Sequence, residues 1–238
     1  MVCKIVQRYL TVIPASLKPD MIFSIATPPT QALVNTETDT PVFFCAVSAP
    51  TAAGILTDMD KPDKNATGTS NAIPVSKIID LAQATTPVKK IGLIYSGNED
   101  NATNTVKQCE EYLKSINVEY VEKTAASSND VETATNALIA EGAEAIFVPN
   151  DSIIQDGVSK LTEICNEKKI PTYCSSATTV ASGCFATLAI DDKGIGKKTV
   201  DIAMDYVNGK EVADIPAQVV GIDYCSVNKS AMKTLGIS

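Results

Sequence analysis

The stretch KKIGLIYSGNEDNATNT, residues 89–105, decides the fold. It opens as an uninterrupted apolar run, as a parallel strand covered on both faces requires. It then turns polar, and Ala102, Val106, Cys109, Leu113 and Ile116 follow with the i, i+4, i+7 rhythm of an amphipathic helix. Strand, short turn and helix make the repeating unit of an α/β sheet, whose ligands sit beyond the carboxyl ends of the strands. The turn YSGNEDNA carries one glycine and two acidic residues. A dinucleotide turn needs Gly-x-Gly-x-x-Gly so that backbone can approach a pyrophosphate, and this turn does not supply it.

The same alternation runs through most of the chain. Strand candidates are MIFSIA (21–26), PVFFCAV (41–47), IGLIYS (91–96), EYVEKT (119–124), AIFVP (145–149), PTYCS (171–175) and ATLAI (186–190). Between them lie amphipathic stripes: Val131, Ala134 and Leu138 after a Ser-Ser-Asn-Asp start suited to capping, then Ile154, Val158, Leu161 and Cys165. GIGKKTVDIAMDYVNGK (194–210) gives a further helix ending at Asn-Gly. Strands alternating with helices imply βαβ units and a parallel sheet. The series from 91 to 191 makes a full lobe of four or five strands. Only two clear strands precede Lys61, which is few for a lobe of its own. DMDKPDKNATGTSNAIP (58–74) is dense in turn formers and reads as a crossover rather than a core element.

Composition narrows the function. The 238 residues suffice for one large or two small domains. A net charge of −8, with basic residues scattered singly or in pairs, argues against a nucleic-acid partner. Histidine is absent, which removes His-based triads and His-ligated zinc. Seven cysteines, at 3, 45, 109, 165, 174, 184 and 225, are odd in number and show no C-x-x-C spacing. They read as small buried hydrophobes or free thiols rather than metal ligands or a disulfide framework. In the opening segment, Lys4, Gln7 and Arg8 interrupt the apolar residues, so it is neither a signal peptide nor a membrane span. On the residues alone the chain reads as soluble and intracellular. DDKGIGKKT (191–199) fails as a phosphate loop, because Asp191 and Lys198 stand where Gly and Ser/Thr are needed. It reads as a helix start capped by Asp191 or Asp192.

Five strand ends carry small polar residues at a helix start: IATPPTQA, CAVSAPTAA, YSGNEDNA, PNDSII and CSSATT. Such residues are ordinary caps. Five of them on one sheet pattern also make a ligand cleft. Thr27 and Ser48 would offer hydroxyls, beside free helix N–H groups, to an anionic group. Asp151 and Glu99 would suit a cation such as an α-ammonium. Pro28, Ser70, Ser96, Asn98, Asn101, Ser152, Ser175 and Asp191 are the neighbouring candidates, with no catalytic residue, cofactor or metal expected. A second reading uses Cys45 and Cys174, both at strand ends, as the facing acid and base of a cofactor-independent amino-acid racemase. Cys174 has no basic neighbour in sequence to lower its pKa. A third reading is an intracellular ligand-sensing domain.

MIFSIATPPTQAL, PVFFCAVSAPTAAGI, NATGTSNAIP, KKIGLIYSGNEDN, AIFVPNDSII, ATLAIDDKGIGKKTVDIAMDYVNGK and VNKSAMKTLGIS stand in the order of one family. From about Asp20 onward the chain resembles the substrate-binding components of ABC transporters, in the group that includes the tryptophan/tyrosine-type binding proteins. The resemblance implies a type I periplasmic-binding-protein fold: two Rossmann-like lobes with parallel sheets, joined by a three-segment hinge. Crossings would fall near 69–72, 189–192 and 215–219. The lobes would be 1–70 plus 192–215, and 71–191 plus 216–238. The resemblance also implies an amino-acid-like, possibly aromatic, ligand in the interlobe cleft. Thr27 and Ser48 would hold its carboxylate, and Asp151 or Glu99 its ammonium. It implies a membrane permease as partner and an extracytoplasmic location. Family members begin with a secretion signal, a strand, a helix and another strand, so the first lobe is expected to be N-terminally incomplete.

Overall fold

The computed structural model describes residues 19–36 and 39–237; the opening segment and Cys3 lie outside the described residues. In chain order the first elements are β1 (Ile22–Ile25), α1 (Thr27–Val34), β2 (Val42–Cys45), β3 (Ala66–Ser70), α2 (Val75–Thr85), β4 (Lys90–Tyr95) and α3 (Asp100–Ser115). Then come β5 (Glu119–Thr124), α4 (Val131–Ala140), β6 (Ala145–Val148), α5 (Ser152–Asp156), α6 (Val158–Glu167), β7 (Thr172–Cys174) and α7 (Ala177–Ala181). The last are β8 (Ala186–Ala189), α8 (Asp192–Val207), β9 (Gln218–Val219), β10 (Tyr224–Val227) and α9 (Lys229–Leu235). All seven apolar runs form strands. The stripe from Ile154 to Cys165 does not form one helix, because the chain breaks at Gly157 into α5 and α6.

The chain divides into two units, Met1–Ala72 with Ile190–Gly221, and Ile73–Ala189 with Ile222–Ser238. The last passage falls after Gly221 rather than near 215. The reason is β9, which pairs with β3 and keeps 216–221 in the first unit, where the sequence reading gives residues from 216 to the second.

In the first unit the strands run β1-β2-β3-β9, all parallel. Successive side chains of a strand point to opposite faces. Phe44 therefore packs with Leu33, Val34, Ile55 and Leu56, while Phe43 packs on the other face with Ile202, Ala203 and Ile215. Both phenylalanines are fully buried, each a contribution of about 3 kcal/mol. The ATGTS segment, expected to be a crossover, is β3 and wholly buried. Its hydroxyls are satisfied inside the protein. Thr67 Oγ1 donates to Ile215 O (2.7 Å), and Thr69 Oγ1 pairs with Thr199 Oγ1 of α8 (2.6 Å). A Cβ at Gly68 would lie 1.9 Å from the Phe44 carbonyl oxygen, so β3 can lie beside β2 only with glycine there.

In the second unit the strands run β10-β8-β7-β6-β4-β5, parallel except for β10, which lies antiparallel to β8. Ile91, Leu93, Ala145, Phe147 and Tyr173 face a core with α2, α3 and α9. Ile94, Ile146, Val148 and Cys174 face a second core with α4, α5 and α6. These near-continuous apolar strands are what double cover demands. Their parallel pairing places the carboxyl ends of β4 to β8 at one edge of the sheet, where the polar turns lie.

Candidate ligand-binding site

In the first unit, β1 and β2 leave the sheet through alanines with positive φ, Ala26 (71°) and Ala46 (57°). They stand side by side, since Ile25 is opposite Cys45 and Ala26 N donates to Cys45 O (3.0 Å). Ala26, with ψ 167°, lies in a region that glycine alone adopts readily. From it α1 starts directly, with Thr27 buried, Pro28 half-buried and no side chain capping the helix. Thr30 binds this start to the strand, donating to Ala26 O (2.7 Å) and sharing a hydrogen bond with buried Ser24 (2.7 Å). At the next strand ends Ser48 Oγ donates to Asn71 Oδ1 (3.0 Å), and Ser70 Oγ donates to Ser48 O (3.3 Å) and accepts from Ala72 N (3.2 Å). The structure thus gathers Ser48 and Ser70 and adds Asn71, which sequence reasoning missed. Asn71 follows a strand that was itself unread. Asp191 is the exposed N-cap of α8, accepting from Lys193 N (3.2 Å) and Gly194 N (3.0 Å).

The second unit brings together the ends of β4, β6 and β7. Asp151 is buried and receives four hydrogen bonds. Oδ2 accepts from Ser96 N and Ser96 Oγ (both 2.7 Å), and Oδ1 accepts from Ile153 N (3.0 Å) and Ile154 N (3.2 Å). A carboxylate has about four lone-pair directions, and here all are used. Asp151 therefore ties the β4 turn to the start of α5 and has no acceptor left for a ligand ammonium. Ser96 is spent on the same tie, its Oγ also accepting from Asn98 N (3.2 Å). Glu99 reaches across to Ser152 N with one oxygen (3.0 Å). Asn101 Nδ2 donates to Asn150 O (2.7 Å), and its Oδ1 is buried without a partner. Ser175 is half-buried with its backbone N–H on Val148 O (3.1 Å), whereas its neighbour Ser176 caps α7 through Thr178 N (3.3 Å).

The two cysteines of the racemase reading differ in setting. Cys45 is half-buried in the first unit. Cys174 is buried in the second, and its Sγ donates to Ser176 O (3.3 Å). Burial, and then the neighbouring Cys184 thiol, push the Cys174 pKa well above the ordinary thiol value. A thiol so held stays protonated at neutral pH, which suits packing and not proton abstraction. Among the described residues no group of three or more acidic, cysteine or histidine side chains is placed to hold a metal.

Comparison with known proteins decides the lineage. The profile of the family described as ABC transporter substrate binding protein matches residues 9–238. The chain belongs to that family. It is 34% identical over 219 residues to the tyrosine-binding protein of Clostridioides difficile (strain R20291), matching 92% of this chain. It spans 63% of that relative's length. The solved ABC domain in complex with L-Trp from Streptococcus pneumonia is 29% identical, with a TM-score of 0.91 over 99% of this chain and 80% of the other. A conserved domain protein from Vibrio cholerae is 31% identical, with a TM-score of 0.91 over 99% and 79%. The fold is accordingly the type I periplasmic-binding-protein fold. Among the described residues no helix is long and apolar enough to cross a membrane.

Proposed function

We propose that this chain is the ligand-capturing part of an ABC importer, working outside the cytoplasm beside a membrane permease, and that its ligand is an aromatic α-amino acid. The observation that carries the reading is similarity along nearly the whole chain to a tyrosine-binding protein and to a domain solved with L-Trp. The strand-end groups support it. At the start of α1, where Pro28 and Pro29 carry no N–H and no side chain caps the helix, the Thr27 backbone N–H and hydroxyl are donors suited to a carboxylate. The task is capture rather than turnover, which agrees with a protonated, buried Cys174.

The test is thermal unfolding of the 238-residue chain against the twenty amino acids and a few sugars. A ligand that binds only the folded form, present at about 100 times its dissociation constant, adds about 2.7 kcal/mol. For a protein of this size that raises Tm by about 5–10 °C. A shift confined to tyrosine, tryptophan or phenylalanine is the expected result. A shift with sugars and none with amino acids overturns the ligand class.

A further inference from the structure

The buried oxygen of Asn101 needs an explanation. Asn101 is the second residue of α3 and only 5% exposed. Its Nδ2 is fixed on Asn150 O at 2.7 Å, which also fixes the amide's orientation and leaves Oδ1 as the acceptor. Among the described residues, Oδ1 is the buried side-chain polar atom that has no hydrogen bond. An acceptor buried without a partner carries an uncompensated desolvation cost, which a donor arriving from outside would relieve.

The surroundings say what kind of donor. The helix start alone would disfavour a cation, since its N-terminus carries roughly half a positive charge. Two acidic residues, Glu99 and Asp100, stand immediately before Asn101 and oppose that partial charge. Glu99 does not cap its own helix; one of its oxygens holds Ser152 N. Asp151, the other carboxylate near this edge, is saturated by its four internal bonds. An acceptor without a donor, in a field set by acidic neighbours, fits a cationic N–H donor. The turn from Gly97 to Asp100 is mostly exposed, with Gly97 at φ 74°, and is held by the hydrogen bonds from Asn98 N to Ser96 Oγ and from Ser152 N to Glu99 Oε1.

We infer that the second unit recognises the α-ammonium group of the ligand through Asn101 Oδ1, with Glu99 supplying charge, and not through Asp151. The inference rests on the amino-acid reading above and assigns one group of that ligand to one atom.

The experiment compares L-tryptophan and L-tyrosine with their des-amino analogues, by calorimetry on the wild-type chain and on Asn101→Ala and Glu99→Gln. The wild type binds the amino acid at least 30-fold more tightly than the analogue. Asn101→Ala loses at least 10-fold for the amino acid and less than 3-fold for the analogue, so discrimination collapses. Glu99→Gln, which keeps an oxygen for Ser152 N and removes the charge, loses at least 3-fold for the amino acid and nothing for the analogue, and decides the matter if the alanine variant does not fold. Equal wild-type affinity for both ligands overturns the inference. So does undiminished discrimination in Asn101→Ala, or in Glu99→Gln. Failure of the wild type to bind any amino acid instead removes the functional reading, and the inference with it.

Discussion

The two units build their polar edges by different means. In the second, charge does the organising: Asp151 and Glu99 draw the β4 and β6 turns together by accepting backbone N–H groups. In the first, no carboxylate takes part in the hydrogen bonds among Ser48, Ser70 and Asn71, and the strand ends turn through strained alanines. Both units expose large apolar side chains: Phe23 and Ile25 of β1 with Val200, Met204 and Val207 of α8 in the first, and Ile222, Tyr224 and Val227 in the second. One edge is set by electrostatics and the other by backbone conformation, so different perturbations should break them.

The largest effect is expected from Asp151→Ala. Removing a buried carboxylate that accepts four hydrogen bonds strands Ser96, Ile153 and Ile154 donors, a loss of about 4 kcal/mol. Urea unfolding should show the fall. Were Asp151 a ligand-binding group with little structural role, stability would change by less than 1 kcal/mol while binding vanished.

Alkaline pH should also separate the units. Burial pushes the thiols of Cys109 and Cys165, both in the second unit, from an ordinary 9.0 up to about 12. The unfolded chain therefore loses these protons first as pH rises. Stability is intact below about pH 9 and falls towards pH 12, by about 1.4 kcal/mol per thiol at pH 10. A Cys109→Ala, Cys165→Ala variant should lose less stability between pH 8 and 10 than the wild type, whatever its starting value. Parallel pH profiles would show that these thiols are not held as the structure places them.

Much of the fold was legible in the sequence because parallel strands covered on both faces must be short and apolar, as IGLIY and AIFV are. ATGTS escaped that test. Its threonines are buried only because Ile215 and Thr199, distant in sequence, supply partners. Helix α2 was missed although Val75, Ile78, Ile79 and Ala82 carry the helical period; the turn-rich run before it obscured the start. At the polar edges the sequence located the turns at the strand ends but not the state of each group in them. That Asp151 is consumed and Asn101 left wanting depends on Ser96, Asn150 and Ile153, which the fold brings together from two strand ends. Residue type alone ranks the carboxylate first.

The smallest effect tests the first unit's backbone. Glycine in place of alanine ordinarily destabilises by about 0.5–1 kcal/mol, because the unfolded chain gains freedom. Ala137, within α4, should follow that rule. Ala26 should not. At φ 71° and ψ 167° its methyl group costs on the order of 1–3 kcal/mol, which glycine would release. Ala26→Gly should therefore stabilise the protein by about 1 kcal/mol after the entropic loss is subtracted. If the alanine also holds the start of α1 in its binding geometry, the variant gains Tm and binds a few-fold more weakly. Opposite signs for Ala26→Gly and Ala137→Gly in the same unfolding assay would establish strain at the β1 end. Equal losses at both positions would mean that hydrogen bonds, as in the second unit, set this edge as well.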